Sequence, residues 1–223
     1  MDELFGDIFE GAVSKVKRDY TFGPFSISLI CVAGENQHVD KWVPLVVWRA
    51  AEAFNEELIK PNRLSELEGK RVVELGSGTG ICGLLAARIC GNITLLTDGS
   101  EDSVEALEES IELNKFKQNQ VHCAQLMWGD IPAARKLKDK HGGEFDTCLA
   151  TDVIYEAAAV KPLLQSASEL ISNEGVFFLA NHRFRFQGLH GEIEKALVDI
   201  PFKLMEVGRI GEDVDLYVFR RPE

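Results

Sequence analysis

From Lys70 onward the chain alternates short apolar runs with longer stretches whose apolar residues recur every three or four positions. Arg71–Leu75, Asn92–Thr97, Val121–Leu126, Phe145–Thr151 and Gly175–Ala180 are the runs. Each has strand length, and none shows the alternation of a strand with one wet face. Helices are predicted from the glycines after Leu75 to Cys90, over Ser100–Lys115, over 156–172 and over Gln187–Asp199. In the second, Val104, Leu107, Ile111 and Leu113 fall on or near one face. Ser100 reads as its N-cap, and Glu101 and Asp102 suit the positive end of the helix dipole. Asn173-Glu-Gly175 predicts a turn closing the third. Phe202–Val207 and Asp215–Arg220 flank the glycines of 208–213 and predict an antiparallel hairpin.

Apolar strands alternating with helices imply an α/β fold: a doubly wound, mostly parallel seven-stranded sheet with a C-terminal antiparallel hairpin. A ligand is then expected beyond the carboxyl ends of the strands, where strand order reverses. The first sixty residues differ. Tyr20–Val32 predicts a β-hairpin about Gly23-Pro24, and Val43–Phe54 a helix started by Pro44 and ended by Pro61-Asn62. Residues 1–62 thus read as an N-terminal extension, hairpin and helix, packing on a core of 63–223. The 223 residues suit a single domain overall.

Charge narrows the partners. A net charge of −12 repels nucleic-acid phosphates and anionic membranes, and attracts partners with exposed lysine or arginine. Five cysteines without a CxxC pair predict reduced thiols, and five scattered histidines offer no zinc site. No apolar stretch approaches the roughly 20 residues that span a bilayer, and the acidic start is unlike a targeting peptide. A cytoplasmic protein, or one also nuclear, is expected.

The candidate chemistry sits in Glu74-Leu75-Gly76-Ser77-Gly78-Thr79-Gly80, between a strand and a helix. Glycines there permit positive φ and let a ligand approach the backbone. Gly78–Gly83 also fits the GxGxxG pattern of dinucleotide sites, which leaves a nicotinamide-dependent oxidoreductase as a rival. Two features favour an adenosyl ligand without pyrophosphate. Glu74 would repel phosphates, and dinucleotide domains seldom end in an antiparallel hairpin. Asp98, at the end of the second strand, is placed to accept ribose hydroxyls.

At these residues the sequence resembles the seven-β-strand S-adenosylmethionine-dependent methyltransferases with a Rossmann-like fold. Trp48, Trp128 and Asp152-Val-Ile-Tyr155 narrow the resemblance to methyltransferase family 16, over about Tyr20 to Arg220. That resemblance implies S-adenosylmethionine as cofactor and S-adenosylhomocysteine as product. Gly76, Gly78 and Gly80 would face its methionine part, Asp98 would bind its ribose, and Trp128 would lie near its adenine with backbone contacts from Met127, while Glu74, Ser77 (where Ala is frequent), Thr79 and Thr151 are further cofactor-binding positions. Trp48 would line the cofactor's other side. Asp152 and Tyr155 would stand as catalytic residues at the acceptor mouth, Asp152 receiving or orienting an incoming ammonium. The implied acceptor is a lysine of a protein, in the class of chaperones and translation factors. A small nitrogen compound and a non-catalytic adaptor remain open. His182, Phe184 and Phe186, after the fifth core strand, are left between a pocket role and packing.

Overall fold

A computed structural model describes residues 15–32 and 45–222. The predicted start of a helix at 43–44 lies outside these residues. The chain forms the hairpin β1 (Lys15–Phe22) and β2 (Phe25–Val32), then α1 (Arg49–Leu58), α2 (Pro61–Leu64), β3 (Val72–Leu75), α3 (Ile81–Cys90), β4 (Thr94–Asp98) and α4 (Glu101–Asn114). There follow β5 (Val121–Gln125), α5 (Ile131–Lys140), β6 (Phe145–Thr151), α6 (Val160–Leu170), β7 (Ile171–His182), α7 (Leu189–Ala196), β8 (Lys203–Ile210) and β9 (Val214–Arg220). β3 to β9 form one sheet of seven strands, in the order β5-β4-β3-β6-β7-β9-β8. β3 to β7 run parallel, and β9 lies antiparallel between β7 and β8. From β3 the chain winds outward through β4 and β5, then returns to β6 on the opposite side. Strand order therefore reverses between β3 and β6, which opens a crevice at their carboxyl ends.

Both faces of the central strands β3, β4, β6 and β7 are covered, which is why these read as apolar runs, whereas the edge strand β8 leaves Met205 and Val207 exposed. Along β7, Phe178 and Ala180 join one core with α1, α3 and the β1–β2 hairpin. Phe177 and Leu179 join the other with α6 and α7. This period of two is the ordinary alternation of a strand, with both sides dry. The hairpin edge is sealed by helix side chains rather than by another strand. The Ser28 and Ile30 N–H groups donate to Asn114 Oδ1 and Ser110 Oγ at 3.0 and 2.9 Å, and Asn114 Nδ2 donates back to the Ser28 carbonyl. Polar Ser110 and Asn114 are therefore buried, whereas Leu113, grouped with the apolar face by its spacing, is 39% exposed.

Other expectations shift for physical reasons. α5 is absent from the expected elements: its apolar face is only Ala133, Ala134 and Leu137, of which Ala134 alone is buried. It is specified instead by its start, where Asp130 caps the Ala133 N–H at 3.0 Å and a proline occupies the first turn. α1 begins at Arg49, with an extended Trp48 before it, and ends at Leu58; Pro61 opens α2 rather than closing α1. The helix expected over 156–172 starts as a 3₁₀ turn at Ala157–Ala159 and stops at Leu170. The turn at 173–175 lies inside β7, where pairing with β6 jumps from Phe145↔Ile171 to Thr147↔Val176. Gly175 is needed there, since a methyl group on it would meet Ile171 Cβ at 2.9 Å. No helix among the described residues is long and apolar enough to cross a membrane.

Candidate active site

A cavity of about 570 Å³ opens at the crevice, walled by the loops that follow β3, β4, β5 and β6 and by the start of α1. The loop after β3 is built on left-handed glycines: Gly76, Gly78 and Gly80 have φ of 69°, 52° and 78°. A residue with a side chain would be strained at each. Gly76 is also a close approach. A methyl group there would stand 2.7 Å from Val153 Cγ1 and 2.9 Å from Trp128 Cζ2. The bare backbone of Gly76 thus forms a shelf under the cavity. Gly78, Ser77 and Thr79 share that lining, but Gly80 does not. Gly80 stands against Leu107 and Leu96 and begins α3, so its work is to pack the helix on the sheet.

Asp98 reaches across from the end of β4. Its Oδ2 accepts from the Gly78 N–H at 2.9 Å and its Oδ1 from the Ser100 N–H at 3.0 Å. A carboxylate has about four acceptor positions, so two stay available for ribose hydroxyls. Beneath the loop, Glu74 is 2% exposed and its Oε2 accepts from the Gly83 N–H at 3.1 Å. Gly83 must be glycine for this, because a methyl group would lie 2.5 Å from that oxygen. Burial pushes the Glu74 carboxyl up to about 8; the nearby Ser77 hydroxyl and the Gly83 N–H pull the other way, and Asp98 adds to the rise. A cationic ligand beside it would favour its charged form.

Two atoms of the lining suit a polar ligand. Ser77 Oγ, which stops short of hydrogen-bond geometry with Glu74, and Thr151 Oγ1 are both out of solvent without a hydrogen-bond partner. Buried hydroxyls normally have one. With the Gly76 shelf and the Asp98 carboxylate, they fit an amino-acid and ribose ligand. Trp48, Trp128 and Met127 add apolar walls, and Met127 is 62% exposed at the rim.

The loop after β6 carries the acceptor candidates. Tyr155 is 59% exposed at the rim, so it is not core. Asp152 lines the cavity but does not cap the following helix, and its carboxylate is not a free receptor for an ammonium. It accepts from Arg185 Nε and Nη2 and from the His182 N–H. Asn181, 1% exposed, clamps the same loop: its Oδ1 accepts from the Ile154 N–H and its Nδ2 donates to the Ile154 carbonyl, both at 3.0 Å. The roles of Arg185, Asn181 and Gly83 escape sequence reasoning. The one available signal was that Asn181–Arg185 come directly after the apolar run ending at Ala180, at the ligand edge. His182 lies off this cavity, in a second groove of about 260 Å³ with Arg49, Glu52 and Asp213. Phe184 is exposed, and Phe186 packs on the α6–α7 core.

Comparison with known proteins agrees with this architecture. A family model described as lysine methyltransferase matches residues 34–193. Protein N-lysine methyltransferase METTL21A of Danio rerio is 31% identical over 182 residues, 80% of this chain and 77% of the relative. METTL21A of Mus musculus is 36% identical over 140 residues, 62% of this chain and 60% of the relative. EEF1A lysine methyltransferase 3 of Mus musculus is 29% identical over 178 residues, 78% and 70% of the two chains. In fold, the chain is similar to the magnesium protoporphyrin IX methyltransferase of Synechocystis PCC 6803 solved with bound S-adenosylmethionine, with TM-score 0.60, 18% identity and 85% and 87% of the two chains covered. The glycine shelf, the carboxylate across from it and the family match over residues 34–193 lead to one statement: the chain belongs to the lysine methyltransferase family and is an S-adenosylmethionine-dependent methyltransferase.

Proposed function

We propose that this protein transfers the methyl group of S-adenosylmethionine to the side-chain nitrogen of a lysine on a protein of the translation or chaperone machinery. The observation that carries the reading is the Gly76 shelf, closed by Trp128 and faced by an Asp98 already oriented through Gly78. When bound, the sulfonium of the cofactor supplies an activated methyl group. This chain's residues do the rest. Asp98 holds the ribose, and Ser77 and Thr151 satisfy polar groups of the methionine part. Trp128 and Met127 flank the adenine, and Trp48 walls the opposite side.

Alignment for an in-line displacement is then the main requirement, because the methyl group is already reactive. The lysine must arrive neutral, and its reference pKa is about 10.4. Desolvation among Trp48, Val153 and Tyr155 lowers that value, and the neighbouring sulfonium lowers it further. The net charge of −12 favours a lysine-rich surface as substrate. One relative is named for methylating EEF1A, which supports a translation factor as acceptor. Free cysteines, four of the five buried, fit a cytoplasmic setting. The hairpin shares a core with α3, which supports 1–62 acting as an extension of 63–223 in one folding unit.

Incubation with radiolabelled cofactor in an extract of cells lacking the enzyme tests the reading. Label recovered as methyllysine in a protein band is expected. Label confined to small molecules would replace the protein acceptor with a metabolite.

A further inference from the structure

Arg185 has no task in the reaction as described so far, yet it sits at the junction of two walls of the site. Its Nε and Nη2 donate to the two Asp152 oxygens at 3.0 and 2.8 Å, a two-pronged ion pair. The same guanidinium lies over the indole of Trp48, 4.3 Å from the ring centroid. The His182 N–H completes the set at 3.1 Å from Asp152 Oδ1. The Asp152 side chain is 3% exposed and that of Arg185 23%, so water does little to screen the pair. Asp152 also holds a left-handed backbone, φ 57°, which a non-glycine residue keeps only when its surroundings insist. One planar fork, from the turn after β7, thus ties the loop after β6 to the entry of α1.

We propose that Arg185 is a positioning residue for methyl transfer: by occupying both oxygens of Asp152 while resting on Trp48, it fixes the acceptor mouth and keeps Asp152 from trapping the incoming lysine as an ammonium ion. The inference rests on the lysine-methylation reading above. The lysine nitrogen needs its lone pair. Its proton leaves to solvent, the N–C bond forms, and the C–S bond breaks with its electrons on sulfur. An unpaired carboxylate at the mouth would stabilise the ammonium form and hold that proton. Paired with a guanidinium, the carboxylate presents almost no net charge. The other ionisable groups lining this cavity are Tyr155 and Glu156 on the Asp152 loop, Glu74 and Asp98 across from it, and the Cys82 thiol on α3, which burial keeps protonated. The three carboxyl groups among these favour the ammonium when ionised, Glu74 only once its raised carboxyl has lost its proton, and the cation of Arg185 offsets them at the Asp152 end of the cavity.

The test uses full-length Arg185→Gln, Arg185→Lys and the double variant Asp152→Asn/Arg185→Gln. Methyllysine formed from radiolabelled S-adenosylmethionine in the extract is followed from pH 6.5 to 10, with thermal melts and cofactor calorimetry on each protein. For Arg185→Gln, the initial rate near neutrality should fall at least tenfold, and the midpoint of the alkaline rise should move up by on the order of one pH unit. Arg185→Lys keeps the cation but not the fork or the flat stack, so its midpoint should stay and its rate should fall several-fold. The double variant removes the unpaired charge and should return the midpoint to that of the wild type. A wild-type midpoint in Arg185→Gln, a full rate in Arg185→Lys, or an upward-shifted double variant would each overturn the inference and leave lysine methylation standing. If Arg185→Gln does not fold, the other two variants decide. Absence of methyllysine with the wild-type protein at every pH overturns both.

Discussion

Replacing Asp98 with alanine separates a ligand-binding carboxylate from a merely structural one. Its two oxygens accept from the N–H groups of Gly78 and Ser100 at 2.9 and 3.0 Å. Hydrogen bonds to a charged acceptor contribute about 1.5–3 kcal/mol each, but at this partly open site water takes over much of the loss. A net destabilisation of about 1–3 kcal/mol is expected, which for a chain of this size lowers the melting temperature by roughly 2–12 °C. Cofactor binding should suffer separately. Two ribose hydroxyls lose a charged acceptor, and the loop that presents Gly76 and Gly78 loses its clamp. Losing about 1.4 kcal/mol weakens binding tenfold, and losing about 3 kcal/mol weakens it more than a hundredfold. Calorimetric titration with S-adenosylmethionine should therefore show a dissociation constant raised by a factor within that range. Asp98→Asn should fall between, since an amide oxygen can serve one N–H while its NH₂ faces the other. A lower melting temperature with affinity within twofold of the wild type would reduce Asp98 to a loop clamp and refute the ribose role.

Gly83→Ala should destabilise by about 1–3 kcal/mol in urea unfolding, although alanine is the better helix former by about 1 kcal/mol. The reason is the methyl group 2.5 Å from Glu74 Oε2 and 2.8 Å from Leu96 Cδ2, and an unchanged or raised midpoint would show that the carboxylate yields freely. Glu74 predicts a pH dependence: its carboxyl titrates near 8 in the folded chain against 4.5 as the reference. Between those values the folded state holds a proton that the unfolded state has released, so stability falls as pH rises from 4.5 towards 8. Glu74→Gln should flatten that slope, and parallel stability–pH curves for the two proteins would contradict it. Asn181→Ala strands the N–H and C=O of buried Ile154, which should cost about 2 kcal/mol or more and loosen the Asp152 loop. Retention of full stability and turnover would mean that the loop does not depend on this clamp.

How far the chain can be read without its structure differs from segment to segment. β6 occupies the predicted run Phe145–Thr151, and Ser100 caps α4 by accepting from the Ser103 N–H. These features depend on neighbours a few residues apart: apolar period, cap chemistry, and glycines that alone tolerate left-handed turns. α5 was passed over because its apolar stripe is short and small, Ala133, Ala134 and Leu137 among lysines, with Ala134 alone fully buried. Leu113 and Asn114 traded places between surface and interior because the edge of β2 needed hydrogen-bonding partners. The element types, the glycine loop and the acid one strand away were thus decided locally, and they sufficed to point to the cofactor. The turning of Gly80 into the core and the burial of Glu74 under Gly83 were decided only when α3 packed on β3 and β4, and the pairing of Asp152 with Arg185, 33 residues further on, only when β6 and β7 lay side by side. Spacing along a chain sets which residues share an element; the packing of separate elements sets which charges meet.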